Sequence, residues 1–548
     1  MKVFLKLLSV IALASLSFSS ACASEREYIV TNQAEFDAIG PVLNKALKDP
    51  SCTRLRISIR KGVFYYKERH LWITDVTRPD FTLQITGKRK TVIMPSGKDF
   101  SLYGGVANYT GEYSTGYGFV ADGERYLDVQ SAVCQSLSRV ENVKGQLYRL
   151  RTDERDYKAS DCGTVYILLT SWYLSCLCKV DRIENGYVYF TYDDSLSALN
   201  GDYSYKKKFP KYILYNIPGR SPVCVSGGLL TANASNVHQC EQSNFLTLAR
   251  VNFAGVSISG IRFMGCALGD ALIKYVDADC TPFEIAGCRF DGMHDRIVNS
   301  FGGKGLYFHD NYVTHSYYDS IVLDPFTSRI RIERNHFVDN GYRMLNRFDI
   351  VAQGEDFQIR GNVFQDFSYS GVGVGLHYLK KEGIRTSGIV EGNEFFQTAA
   401  FRTPPSRTLM DSGAIYLWTM NKDVVIRNNY IHDIDGGGDN RGIFGDDGAV
   451  NVKMDNNIVT GVVNSYCIDF RKVLSVENLS GTQIRRVNVG NTMHGNQVDG
   501  TIRFVGREDG SDDGVKAVDN EIVSDEKQLS RLVKRWRKNN RVGTRKKS

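Results

Sequence analysis

The chain has 548 residues, too many for one compact core, so it must hold several domains or one long repeat array. Glycine is abundant at 51 and proline scarce at 11, while 30 Tyr and 28 Phe favour strands and turns over helical bundles. The formal charge of +7 sits at the ends: without the ten basic residues from Lys527 onward, and without Lys2 and Lys6, it becomes −5, which excludes a nucleic-acid-binding body.

The first stretch, MKVFLKLLSVIALASLSFSSACAS, couples Lys2 and Lys6 to an apolar run and then to small residues. It reads as a secretory signal over 1–23, with cleavage near Ala23. It is too short to span a bilayer, and no later segment is long and apolar enough. Cys22 offers a lipid anchor as the alternative. Both readings export the protein to the periplasm, the cell surface or the medium, where disulfides are permitted. Cys176 and Cys178 share a strand face, Cys266 and Cys288 read as core fillers, and no pair has zinc spacing.

Within residues 24–100 the segment TNQAEFDAIGPVLNKALKD, from Thr31, has Ala34, Phe36, Ile39, Val42, Leu43 and Leu47 recurring at helical spacing. A helix here is expected to close the open end of the strands that follow, RLRISIRKGVFYY and FTLQITGKRKTVIM. Residues 101–250 break that pattern. LYRLRTD, TVYILLTSWYLSCLCKV and GYVYFTYDD alternate as antiparallel strands of an inserted β-rich domain.

Over 251–525 one pattern returns: aliphatic, two residues, Asn, one residue, then aliphatic or aromatic. It places Asn311, Asn335, Asn362, Asn393, Asn429 and Asn457 in one slot, with Ile261 and Cys288 before them. The spacings are 27, 23, 24, 27, 31, 36 and 28. Short strands at this period predict an all-β fold, a right-handed single-stranded parallel β-helix. The Asn side chains are expected to stack from coil to coil and to occupy left-handed turn positions, with Ile332, Phe337, Ile359 and Phe364 facing inward. The basic segment 526–548 is expected to be a capping helix running into a solvated tail, with an anionic polymer or membrane surface as its alternative contact.

The chemistry is sought in an echo. DSGAIYLW at Asp411 and DDGAVNVK at Asp446 lie 35 residues apart. If they are successive visits to one side, Asp411 lies one coil below Asp446, about 4.8 Å away, with Asp447 beside it. Two carboxylates so close repel, and one holds its proton more tightly, as glycosidic cleavage requires. On the same side the offsets place Asp295, Asp319, Asp349, Tyr369 and His377, and the turn after Asn429 adds His432. Acids and flat rings in rows suit an elongated polysaccharide or oligosaccharide, with Tyr416 read first as packing. Each Asp before Gly or Ser-Gly is also ordinary turn chemistry. No cofactor is implied; clustered Asp leaves calcium open, without an EF-hand loop.

DSGAIY, IRNNYIHDI, GIFGDDGA and NNIVTG together resemble bacterial right-handed β-helix proteins of the pectin-lyase-like superfamily, closest to those allied to family 141 glycoside hydrolases and related α-galactosidase-like proteins. The likeness covers about 300–470, and the insertion near 101–250 also looks like theirs. It implies catalytic roles for Asp411, Asp446 and Asp447. The usual Tyr-Leu before the acid pair is Phe444-Gly445 here, and Gly445 is expected to clear space beside the acids. The expected activity is glycoside hydrolysis in a plant or microbial polysaccharide. The alternatives are a lyase acting on a uronate polymer, which an acid-rich column would repel, and a non-catalytic carbohydrate-binding surface protein.

Overall fold

The computed structural model describes residues 24–66, 70–95, 140–144, 147–151, 165–169, 175–185, 187–191, 213–216, 244–264, 271–293, 296–314, 316, 319–340, 347–367, 369–375, 386–399, 412–418, 421–435, 440–446, 449–463, 465–470, 475–479, 482–486, 490–504, 515–540 and 542. The expected signal over 1–23, with Cys22, and also Cys266, lie outside these residues.

Each turn of the chain gives one strand to each of three parallel sheets, of 13, 12 and 11 strands, called here the first, second and third walls. One coil runs from Ser328–Glu333 on the first wall through His336–Val338 on the second to Phe348–Ala352 on the third, and returns at Glu355–Arg360. The fold is a right-handed parallel β-helix. Inward positions repeat because strand side chains alternate and each coil pairs in register with the next. On the third wall Ile273, Val298, Ile321, Ile350, Val372, Ile415, Ile443 and Ile468 form one buried column. On the second wall Phe337, Phe364 and Phe395 stack with centroids 5.1 and 4.6 Å apart, nearly parallel. Each such side chain contributes about 1.5–3 kcal/mol by burial.

The expected Asn ladder forms, and it is longer than the spacing suggested: Asn311, Asn335, Asn362, Asn393, Asn429, Asn457, Asn496 and Asn520 are linked in turn. The Asn362 carboxamide oxygen accepts from the Asn335 N–H at 2.9 Å, and its Nδ2 donates to the Ile332 carbonyl at 2.9 Å. Buried backbone groups at the corner are thereby satisfied. The left-handed backbone is not at the Asn but at the residue before it: Asp310, Arg334, Gly361, Gly392, Asn428 and Asn456 all have φ between 53° and 62°. The Asn itself is free to be an interior amide donor and acceptor.

At the N-terminus the expected helix is two: α1 (Gln33–Asp37) and α2 (Ile39–Lys48), preceded by the strand Ser24–Val30, which pairs with Cys52–Ile59. Asn32 accepts from the Glu35 N–H and Glu35 accepts from the Thr31 N–H, a reciprocal cap. Phe36, Ile39, Leu43 and Ala46 are buried in the core. The solenoid resumes at Leu246–Ala249, paired with Leu71–Thr74, a few residues before the expected boundary. Between them, six described strands from Val140–Lys144 to Ile213–Asn216 form one antiparallel sheet. The C-terminal helix α3 (Glu526–Asn539) does not sit as a cap on the last coil. Gln528 bonds Glu521, Trp536 Nε1 donates to the Asn428 carbonyl at 2.5 Å, and Arg537 bonds Glu394. The helix runs back along the second wall, and its rise of about 21 Å matches about four coils. No described helix is long and apolar enough to cross a membrane.

Candidate functional site

The outer face of the third wall carries one continuous register column: Trp72, Thr247, Lys274, Asn299, Val322, Val351, Gly373, Tyr416, Phe444, Asp469 and Arg503. In its upper part the side chains are buried although they lie outside the interior core: Phe348, Tyr369, Tyr416, Trp418 and Phe444 form a second aromatic cluster. Phe348 lies 5.4 Å from Tyr369, 4.9 Å from Trp418 and 6.0 Å from Tyr416, all edge to face. Arg441 stacks on Phe444 with 3.8 Å from guanidinium carbon to ring centre, and donates to Asp469, which also binds Arg503. Sequence reasoning overlooked Phe348, Trp418, Arg441 and Asp469; Trp418 stands two residues beyond Tyr416 on the same face.

The register corrects the echo. Ile415 pairs with Ile443 and Leu417 with Gly445, an offset of 28. The residue one coil below Asp446 is therefore Trp418, and the 35-residue repeat is one coil plus seven residues along the strand. Ser412 pairs with Asn440 at the start of the rung, about 20 Å from the level of Asp446. Asp411, Asp447, His377 and Asp295 lie outside the described residues. Asp446 is 2% exposed, and its Oδ2 accepts the Tyr416 hydroxyl at 2.5 Å. Gly445 does not open space beside the acids. A Cβ there would meet the Phe470 ring at 2.6 Å, so the glycine seats a core phenyl group.

A carboxylate pair on neighbouring coils is present elsewhere on this wall, at Asp319 and Asp349. Asp319 Oδ1 accepts the Phe348 N–H at 2.9 Å, so the two acids flank one backbone link between coils. Arg347 Nη1 approaches Asp319 Oδ2 at 3.5 Å, both side chains being buried. Asp349 Oδ1 accepts Asn340 Nδ2 at 2.7 Å, while among the described residues its Oδ2 has no hydrogen-bond partner. Burial pushes the Asp349 carboxyl up to about 8, the Asp319 charge adds to this, and the Asn340 bond opposes it. Burial thus favours the protonated form of Asp349 over the ionised one. The two acids are 0% and 2% exposed, and Tyr369, packed on Phe348, is buried as well.

No protein-family model matches the chain, and no curated protein matches its sequence. Among solved structures it is similar to a glycoside hydrolase at 11% identity, covering 96% of this chain and 100% of that one, with a TM-score of 0.40. The catalytic domain of a GH87 α-1,3-glucanase bound to nigerose aligns at 11% identity over 90% of this chain and 69% of that one, TM-score 0.36. The Streptococcus pneumoniae surface protein and adhesin PfbA aligns at 9% identity over 91% and 97%, TM-score 0.33. At these identities and scores the likenesses carry no functional conclusion.

The remaining candidates separate. His432 is on the second wall, not the third: it pairs with Phe396 and Thr460, its ring stacks on Tyr430 at 4.2 Å, and its nitrogens meet Asp433 at 2.7 Å and Glu394 at 3.4 Å. Its offset from the Asn slot put it on the strand after the turn, which belongs to another face. Tyr369, Asp319 and Asp349 gather at the leading edge of the third wall; Tyr416 sits at its middle and Asp446 at its far edge. Cys288 is a buried thiol pushed up to about 12 by burial, a core filler as expected. Among the described residues no three His, Cys, Asp or Glu side chains gather as a metal site.

Proposed function

We propose that the protein is an exported, carbohydrate-active β-helix that hydrolyses a glycosidic bond at the outer face of its third wall. The observation that supports this most is the Asp319 and Asp349 pair, which lies buried at 0% and 2% exposure, so cleavage there requires the covering side chains to move aside and admit a sugar. Two carboxylates one coil apart sit in unequal surroundings, one beside Arg347 and the other, among the described residues, without a cation and pushed by burial toward its protonated form. Such unequal pairs divide the work of glycoside hydrolysis: the protonated acid gives its proton to the leaving oxygen, and the other carboxylate stabilises positive charge at the sugar carbon or activates water.

The resemblance to family 141 glycoside hydrolases assigns the acids differently, to Asp411, Asp446 and Asp447. Asparagine variants separate the assignments. Purified protein is screened on pectic and hemicellulosic oligosaccharides, and Asp349→Asn, Asp319→Asn, Asp411→Asn, Asp446→Asn and Asp447→Asn are assayed on whatever is cleaved. Loss of 100-fold or more in Asp349→Asn, with the folded state intact, supports the pair described here. Loss confined to Asp411, Asp446 or Asp447 moves the chemistry to them. Absence of cleavage on every substrate leaves a binding protein and ends the hydrolase reading.

One observation favours a lyase as a second reading. Arg347, Arg441 and Arg503 stand on the same wall as the acids, so the face is not the purely acidic surface that would repel a uronate. Lyase products absorb in the ultraviolet at their new unsaturated end, and hydrolase products do not.

A further inference from the structure

Where the third wall turns into the first, far along the strand from Asp319 and Asp349, the described residues line an open cleft of about 480 Å³. The corner is built on four successive coils. Asp75, Arg250, Asp277 and Gly302 stand at matching positions, all left-handed, with φ of 57°, 51°, 44° and 69°. The N–H groups of Asp75, Arg250 and Asp277 donate to the carbonyls of Ala249, Val276 and Phe301 on the next coil, which fixes the stack. At Gly302, left-handed with φ 69°, an added Cβ would press on the Asp277 carboxylate, which would have to turn aside.

The next coil closes this cleft with the sequence Asp324-Pro325-Phe326-Thr327. The Thr327 N–H donates to the Asp324 carbonyl at 3.1 Å, making a β-turn with Pro325 at its second position. The Asp324 carboxylate accepts from the Gly302 N–H at 3.0 Å, the Phe326 N–H at 3.1 Å and the Thr327 hydroxyl at 2.7 Å. This over-determined turn holds Phe326 outward over the cleft, 43% exposed, with its ring 5.5 Å from Phe301.

The lining selects a chemistry. Arg250 and Lys304 balance Asp277 and Asp279. Two of these charges are already met: Arg250 binds Asp75 through two bonds of 2.5 and 2.8 Å, and Asp279 binds Arg329 at 2.9 Å. An anion finds little net attraction there. A ligand without charge but rich in both donors and acceptors, with an apolar face, fits donors, acceptors and a flat ring placed together.

We propose that this cleft is a binding subsite for a neutral sugar unit, stacked on Phe326 and hydrogen-bonded by Asp277, Asn252 and Lys304, separate from the acids of the third wall. It would hold a stretch of neutral polysaccharide whether or not the chain is cut elsewhere. The test is calorimetric titration of the full chain with short neutral gluco-, manno-, galacto- and xylo-oligosaccharides, with oligogalacturonate as the charged comparison. Phe326→Ala removes an exposed side chain, and an unchanged thermal midpoint shows that it folds. The subsite predicts that wild type binds at least one neutral series, that Phe326→Ala binds it roughly tenfold or more weakly, and that any turnover of a short substrate is retained. Asp277→Asn is expected to weaken the same series. Equal affinity in Phe326→Ala, preference for oligogalacturonate, or no neutral sugar bound by wild type would each overturn it. Binding alone decides the subsite, so its failure is distinguishable from failure of the hydrolase reading, which turnover decides.

Discussion

The Tyr416 hydroxyl donates to Asp446 Oδ2 across one coil of the third wall, at 2.5 Å and with both side chains buried. Tyr416 pairs with Phe444, so the bond reaches one coil up and two residues along, and it ties the far edge of the wall to its middle. A hydrogen bond to a carboxylate is worth about 1.5–3 kcal/mol when buried. Tyr416→Phe is therefore expected to lower stability by about that amount, and Asp446→Asn by less, since the amide still accepts. A double-mutant cycle by chemical denaturation should return a coupling energy above about 1 kcal/mol. Additive effects would show that the bond contributes nothing.

The Asn ladder gives a stability prediction of a different kind. Asn362 takes part in the bonds to Asn335, Ile332 and Asn393, and its own N–H donates to Asn393 Oδ1. Asn362→Ala leaves the Asn335 N–H and the Ile332 carbonyl without partners inside the corner. The expected cost is about 2–4 kcal/mol, from two unsatisfied buried groups. Asn362→Asp is expected to cost at least as much, because it loses the donor and buries a charge. Because coils interact mainly with their neighbours, hydrogen exchange should accelerate first in the coils around 335, 362 and 393. Uniform acceleration along the solenoid would contradict a nearest-neighbour ladder.

That ladder is also where the sequence was most legible, and its neighbourhood shows why the rest was not. A single Asn slot with aliphatic flanks survives as a pattern because every coil needs the same corner geometry. Asn496 and Asn520 escaped notice because a hairpin, Ser475–Leu479 with Thr482–Arg486, stretches the step from Asn457 to 39 residues. The acid echo misled for a related reason. Asp-Ser-Gly runs into the start of the strand Ser412–Leu417, whereas Asp-Asp-Gly follows the strand Asn440–Gly445, so similar residues mark opposite ends of adjacent rungs. Residue spacing counts loop and strand alike, while register counts strand alone. Asp319 and Asp349 entered as substrate contacts because their burial, and the lack of a cation beside Asp349 among the described residues, are tertiary properties.

Asp349 makes the stability depend on pH in a defined direction. Its carboxyl is near the ordinary value of about 3.9 in the unfolded chain and is pushed up to about 8 in the fold. Between these values the folded state binds more protons than the unfolded state, so stability falls as pH rises. The contribution is complete below about pH 4 and is lost as the pH passes through about 8. Denaturation midpoints at pH 5 and pH 8.5 should therefore fall further in the wild type than in Asp349→Asn, which has no proton to lose. If hydrolysis is detected, its rate should decline on the alkaline side with the same group. Parallel pH profiles in the two proteins would mean that Asp349 titrates as an ordinary carboxylate.

The α3 strap should detach as a unit. Trp536 is 5% exposed against Tyr430 and Ile458, flanked by Leu529, Leu532 and Val533, and an isolated helix of 14 residues is marginal in water. Trp536→Ala is expected to remove about 3 kcal/mol of docking, enough to unfold the strap locally. Its second anchor responds to acid. Burial pushes the Glu394 carboxyl up, but bonds from His432 and Arg537 outweigh this and hold it below the usual range. The unfolded or released state binds the proton more readily, so this anchor is present at neutral pH and is lost as pH falls through the depressed value. Hydrogen exchange over 526–539 should therefore speed up in Trp536→Ala at neutral pH, and in the wild type on acidification, while the strands at Asn429 and Asn457 stay protected. Glu394→Gln should remove most of the acid dependence. Loss of protection in strap and walls together would instead make α3 part of the cooperative core.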